Sequence, residues 1–227
     1  MKAKRVTLFA GHYGSGKTNI AVNYAYHLND NNLPVVIADL DIVNPYFRTK
    51  DSEEEFKNRG IELVCSAFTN TNLDIPALPQ EMYKVVQDKT KYAIIDIGGD
   101  DQGAVALGRY VPYILEENNY DMLFVANCFR PLTLTADDAL TVMREIEAAC
   151  GIKFTGIINN SNLGNDTTEN DVLSSLDYID ELSKISGLPV VMTCVEEKLF
   201  SKLSGKVDNL FALTLQKKYF DVNTGGI

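Results

Sequence analysis

What the sequence lacks narrows its class. No run approaches the roughly 18 consecutive apolar residues that a membrane-spanning helix requires. The apolar stretch between Arg5 and Gly11 is too short for the core of a secretory signal, so a cytoplasmic protein is expected. Positive charge is in deficit: 21 Lys and Arg stand against 31 Asp and Glu, a formal net charge of −10. An extended non-specific contact with nucleic acid or anionic lipid needs the opposite surplus, so neither is expected as a partner. Residues 220–227 carry no basic amphipathic repeat, which leaves a membrane-targeting helix there unsupported. The cysteines at 65, 128, 150 and 194 contain no C-x-x-C spacing, which disfavours a local zinc knuckle and makes reduced thiols the default. Cys65, Cys128 and Cys194 fall at or near the carboxyl ends of expected strands, where they either converge on one edge of a sheet or are buried as inert thiols. No low-complexity linker and no repeat of fixed period divides the chain, so a single domain over residues 1–227 is the simplest organisation.

What is present is an alternation of short apolar segments with amphipathic ones. Strands are expected at 5–10, 33–39, 61–65, 92–97, 122–126, 154–158 and 189–192, several of them almost continuously apolar, as in strands covered on both faces. Helices are expected at 17–30, 79–87, 105–116, 135–150, 169–185 and 208–218. The first carries Ile20, Ala21, Tyr24, Ala25 and Leu28 in one stripe, and Thr135 with Asp138 opens another with a capping-box pattern. Such alternation implies right-handed crossovers and a doubly wound α/β fold, a mostly parallel sheet of about seven strands, with ligands bound at the carboxyl ends of the strands.

The most informative stretch follows the first strand. Gly-His-Tyr-Gly-Ser-Gly-Lys-Thr at 11–18 fits G-x-x-x-x-G-K-[ST] at Gly11, Gly16, Lys17 and Thr18, between a strand and a helix. A nucleoside phosphate needs many donors at close range and few side chains in the way. Glycines at 11, 14 and 16 permit that backbone path, and the N–H groups of the loop, Ser15 included, converge with the positive end of the following helix. Lys17 would meet the β/γ-phosphates and the Thr18 hydroxyl a Mg²⁺. Polar residues beyond other strand ends fit the same centre. Asp39-Leu40-Asp41 follows the second strand and Asp96-Ile97-Gly98-Gly99 the fourth. Carboxylates so placed suit Mg²⁺ and an attacking water, although one Asp after a strand also serves as a turn or cap.

The order Gly-x-x-Gly-x-Gly-Lys-Thr, then Val-Val-Ile-Ala-Asp-Leu-Asp, then Tyr-Ala-Ile-Ile-Asp resembles the MinD/ParA (CobQ/CobB-like) branch of the SIMIBI-class P-loop ATPases, over nearly the whole chain. The resemblance implies a hydrolytic role for Asp41 in switch I, the Walker B metal-side role for Asp96, and a second switch beginning at Gly98. It also implies a base-binding Asn, placed at Asn159, whose alternative is a turn residue. No Asn-Lys-x-Asp motif of guanine readers occurs, so ATP with Mg²⁺ is expected rather than GTP. One departure is His12, which stands where the family usually carries a signature lysine reaching across a nucleotide-sandwich dimer. A largely neutral imidazole is no fixed cation, so homodimerisation is an open expectation and hydrolysis is expected to be slow. Arg48 and Arg130 each either reach phosphate or sit in a solvated loop. His27 is expected to be structural or at the surface.

The function implied is a Mg²⁺-dependent ATPase with low intrinsic turnover, with Lys17 and Asp41 as its catalytic residues, acting as a switch or accessory factor for an unidentified protein partner. The alternative is an ATP-using small-molecule enzyme, a dethiobiotin synthetase-like ligase or a kinase. Tyr46, Phe47 and residues 69–79 would form a partner surface in the first case and a substrate pocket in the second.

Overall fold

A computed structural model describes residues 3–40, 52–65, 80–98 and 101–215. The described strands form one sheet of eight, β1 (Val6–Ala10), β2 (Val35–Leu40), β3 (Glu62–Cys65), β4 (Tyr92–Ile97), β5 (Tyr120–Ala126), β6 (Gly156–Asn159), β7 (Val190–Glu196) and β8 (Leu210–Leu213), in the order β3-β2-β4-β1-β5-β6-β7-β8. Every pairing is parallel. The helices are α1 (Lys17–Asp30), α2 (Glu53–Arg59), α3 (Gln80–Gln87), α4 (Asp101–Gly108), α5 (Val111–Glu117), α6 (Ala136–Cys150), α7 (Glu169–Ser186) and α8 (Glu197–Leu203).

The sheet is apolar on both faces because helices cover both, and strand alternation sorts the side chains between them. Phe9, Ile37, Ile94, Val125 and Ile158 face one side, against Ile20, Ala21 and Leu28 of α1 and Phe56 of α2. Leu8, Ala38, Ile95, Phe124 and Ile157 face the other, against Val85 of α3, Leu107 of α4, Ile114 of α5, Met143 of α6 and Ile179 of α7. A smaller cluster around Val172, Val195, Leu199 and Leu203 ties α8 to this layer. The expected capping box at Thr135 and Asp138 forms, and Thr168 with Asp171 builds a second at the start of α7.

Three expectations change. The sheet has eight strands rather than seven, because Leu210–Leu213, expected within a helix at 208–218, pairs with β7. The edge strand is fixed by Asn23 of α1, whose amide donates to the Thr214 carbonyl and accepts from the Thr214 N–H. The single helix expected at 105–116 is two, because Pro112 cannot donate into a continuing helix and instead occupies the first turn of α5. The helices α2 and α8 were not anticipated. In α2 three glutamates fill the first turn and Lys57 and Arg59 the last, matching the helix dipole, while Phe56 is its one buried side chain.

Candidate phosphate-binding site

The loop leaves the centre of the sheet, where β1 lies between β4 and β5. Its path requires glycine at two points. A Cβ on Gly11 would stand 2.5 Å from the Val125 carbonyl oxygen, and one on Gly16, at φ +92°, would stand 2.3 Å from Nδ2 of Asn160. Within the loop the His12 carbonyl accepts from the Ser15 N–H at 3.1 Å and from Lys17 Nζ at 3.2 Å, so the lysine curls back over the turn it ends. Lys17 and Thr18 are buried, 5% and 7% exposed, at the head of α1. The Oγ of Ser15 is sealed from solvent without a hydrogen-bond partner. The His12 Nδ1 is 2.9 Å from the carbonyl of Tyr13.

The two long helices elsewhere, α6 and α7, begin with capping boxes, whereas α1 has a left-handed glycine at its N-cap, no side-chain cap and no acidic residue in its first turn. Its leading N–H groups are therefore directed at the loop rather than satisfied by a side chain. That leaves a positive end suited to an anion.

Strand register brings two carboxylates to the same end. Asp96 pairs in register with Phe9 of β1 and with Asp39 of β2, so both acids lie on the α1 face of the sheet, 0% and 6% exposed. A hydroxyl and carboxylates are the hard oxygen donors that Mg²⁺ takes, so Thr18 and Asp96 fit that ion by donor type. Asp39 is the acid that sequence reasoning passed over in favour of Asp41. Asp39 has the strand parity of Ile37, on the face that carries α1. Asp41, Arg48, Tyr46, Phe47, Gly99 and residues 69–79 lie outside the described residues.

Asn159 is not brought to the loop. Its Nδ2 donates to Ser175 Oγ of α7 at 2.9 Å and its Oδ1 accepts from the Ser161 N–H, with 1% of the residue exposed. The next residue, Asn160, takes the loop position and donates from Nδ2 to the Ser15 carbonyl at 2.6 Å. Alternation is the cause: Asn159 shares the parity of Ile157, on the α7 side, and Asn160 that of Ile158, on the α1 side.

No protein-family model matches the chain, and no curated protein matches it in sequence. Solved structures do match. FtsY from Mycoplasma mycoides aligns at a TM-score of 0.57 with 18% identity, over 86% of this chain and 62% of that one. FtsY from Thermotoga maritima, described as a cell division protein, aligns at 0.58 with 16% identity, over 85% and 62%. The signal recognition particle receptor FtsY from Elizabethkingia anophelis, in complex with GDP, aligns at 0.52 with 18% identity, over 88% and 60%. The chain shares the α/β fold of these FtsY structures. It spans about three fifths of the length of these FtsY chains. The likeness is one of fold class and does not extend to the MinD/ParA branch in particular.

Within this fold the cysteines are spread across the sheet. Cys65 ends the edge strand β3, Cys128 follows β5 and Cys194 lies in β7. Four strand spacings separate β3 from β5, roughly 19 Å. Burial raises the Cys194 thiol pKa far above its ordinary value, as in an inert core thiol. His27 lies on α1 in contact with the rings of Tyr24 and Phe211. Among the described residues no cluster of His, Cys, Asp and Glu is arranged to hold a metal, and no helix is long and apolar enough to cross a membrane.

The contact between Gly16 and Asn160 gives a direct test. Gly16→Ala forces a Cβ into a left-handed backbone and pushes Asn160 off the Ser15 carbonyl, with an expected cost of about 2–3 kcal/mol in urea denaturation. Combining it with Asn160→Ala removes the clash but not the backbone strain, so the double variant should lose less than the sum of the single losses. Simple additivity would show that the clash is absorbed elsewhere.

Proposed function

We propose that the chain is a Mg²⁺-dependent ATP-binding protein with slow intrinsic hydrolysis, whose nucleotide state acts as a switch toward a protein partner. The observation that carries this reading is the loop itself: two sterically required glycines, a lysine folded back over the turn, and an uncapped helix N-terminus that together form a phosphate cradle. Lys17 and the loop amides would neutralise phosphate charge, and Asp41 would orient the attacking water. Thr18 and Asp96 would hold Mg²⁺, which when bound supplies charge neutralisation across the β- and γ-phosphates. Asn160, braced against the loop, is the better placed of the two asparagines to meet the base edge.

The choice of ATP is supported by Asn160-Ser161-Asn162-Leu163. Where a guanine reader carries a carboxylate three residues after its asparagine, this chain has Leu163, 49% exposed. A GTP reading draws on the FtsY likeness, since one of those structures is described as a complex with GDP. The same structure is described as a signal recognition particle receptor, which favours a switch with a macromolecular partner over a metabolic enzyme. Calorimetric titration with ATP and with GTP, each with Mg²⁺, separates the readings. ATP is expected to bind more tightly, and the reverse order would assign the site to guanine nucleotides.

A further inference from the structure

Arg130 differs from the other described arginines in what surrounds it. Arg5 is paired with Glu117, Arg59 with Asp30 and Glu55, and Arg144 with Glu147, while Arg109 is exposed. Arg130 is half-buried, and its side chain forms no hydrogen bond or ion pair with any described residue. Its Nε is sealed from solvent without an acceptor. In a chain with a formal net charge of −10, a cation withdrawn from every described carboxylate is unusual.

Its position gives the reason. The guanidinium lies against the phosphate loop: a Cβ on Gly14 would be 3.5 Å from Nε and 3.7 Å from Cζ. The turn that carries it, after β5, is tightly tied. The Asn127 carbonyl accepts from the Arg130 N–H and from the buried Thr133 hydroxyl, the Asn127 side chain accepts from the Phe129 N–H, and the Cys128 N–H donates to Ser161 Oγ. The Arg130 carbonyl in turn accepts from the Thr133 N–H. The arginine is thus anchored through its backbone and left without an acceptor among the described residues at its charged end, beside a loop whose one fixed positive charge is Lys17.

We propose that Arg130 is a ligand of the bound nucleotide's polyphosphate, a second fixed cation supplied to the loop from within the same chain. A guanidinium suits this task because it is always charged and its planar fork matches phosphate oxygens two at a time. The proposal rests on the nucleotide reading above, and its test separates the two. Wild type, Lys17→Ala, Arg130→Gln and Arg130→Lys are titrated with Mg²⁺ and ATP by calorimetry, and each is melted without nucleotide. Arg130→Gln keeps most of the side chain's bulk and its hydrogen-bonding capacity but not its charge. It is expected to weaken ATP binding about tenfold or more with the nucleotide-free melting temperature unchanged, and Arg130→Lys is expected to recover part of the loss. If Lys17→Ala abolishes binding while Arg130→Gln binds as wild type, Arg130 is only packing on the loop and the proposal is overturned alone. If the loss in Arg130→Gln comes with a lowered melting temperature and no recovery in Arg130→Lys, the residue holds the loop in shape and the proposal is likewise overturned. A wild type that takes up neither ATP nor GTP overturns both readings.

Discussion

Lys17→Ala is expected to weaken triphosphate binding by about a hundredfold or more while leaving the fold intact. Two magnitudes separate these outcomes. In the free protein Lys17 Nζ donates to the His12 carbonyl at 3.2 Å, and losing one such bond costs about 1 kcal/mol. With a triphosphate in the cradle, the same ammonium makes charge-assisted contacts with oxygens of two phosphates, each worth about 1.5–3 kcal/mol. A loss of about 3 kcal/mol corresponds to more than a hundredfold in affinity. Calorimetry with Mg²⁺ and ATP on the folded variant reads the difference, with circular dichroism as the control. Retention of affinity within a few-fold of wild type would remove the loop as the phosphate site, and the nucleotide reading would fall with it.

The parallel sheet was legible because each strand is an apolar run buried on both faces, and the gaps between runs are too long for hairpins. The errors lie where local sequence is ambiguous. Leu210–Leu213 is four apolar or small residues at the sheet edge, a length at which helix and strand cannot be told apart by periodicity. What decides it is tertiary: the open edge of β7 and the two hydrogen bonds of Asn23 to Thr214, made across 191 positions. The break between α4 and α5 had a visible cause in Pro112. In α2 the dipole-matched charges were visible too, but a helix of seven residues with one buried side chain leaves too weak an apolar stripe to stand out.

The candidate site was legible in part. The loop at Gly11, Gly16, Lys17 and Thr18 shows as a local pattern, and β1–β4 register then sets Asp96 level with Phe9, near the strand end from which the loop leaves. Asn159 was expected beside the loop and Asn160 takes that position, because one residue reverses a strand's faces. The face that carries α1 could have been assigned by parity from Ile158, but only once the sheet's coverage was known. Arg130 was visible as a candidate, but its two readings, phosphate contact or solvated loop, could not be separated. Nothing in Asn-Cys-Phe-Arg-Pro reveals that Asn127 and Thr133 tie down the turn, or that the guanidinium is set against Gly14.

Arg5→Ala is expected to destabilise the protein by about 3–5 kcal/mol, although the sequence shows Arg5 only as the last of a charged N-terminal lead-in. The structure buries it at the foot of β1. Its Nε pairs with Glu117 at the end of α5, with side-chain exposures of 7% and 12%. Its Nη2 donates to the Val86 carbonyl at 2.7 Å and its Nη1 to the Asp88 carbonyl at 3.2 Å, so the charge caps the C-terminus of α3. One side chain therefore joins β1, α3 and α5. Truncation leaves Glu117 as an uncompensated, largely buried carboxylate at a helix C-terminus, where the dipole also opposes it, and breaking such a pair costs about 3–5 kcal/mol. For a chain of this length that is a fall in melting temperature of about 10 °C. The pair itself adds little to net stability once desolvation is counted, so Arg5→Met with Glu117→Leu should recover a large part of the loss. Recovery should stop short of wild type, because the carbonyls of Val86 and Asp88 stay without their donor. A single variant that melts within 2 °C of wild type would show that water or a neighbouring cation replaces Arg5, and that the ends of α3 and α5 are held by packing alone.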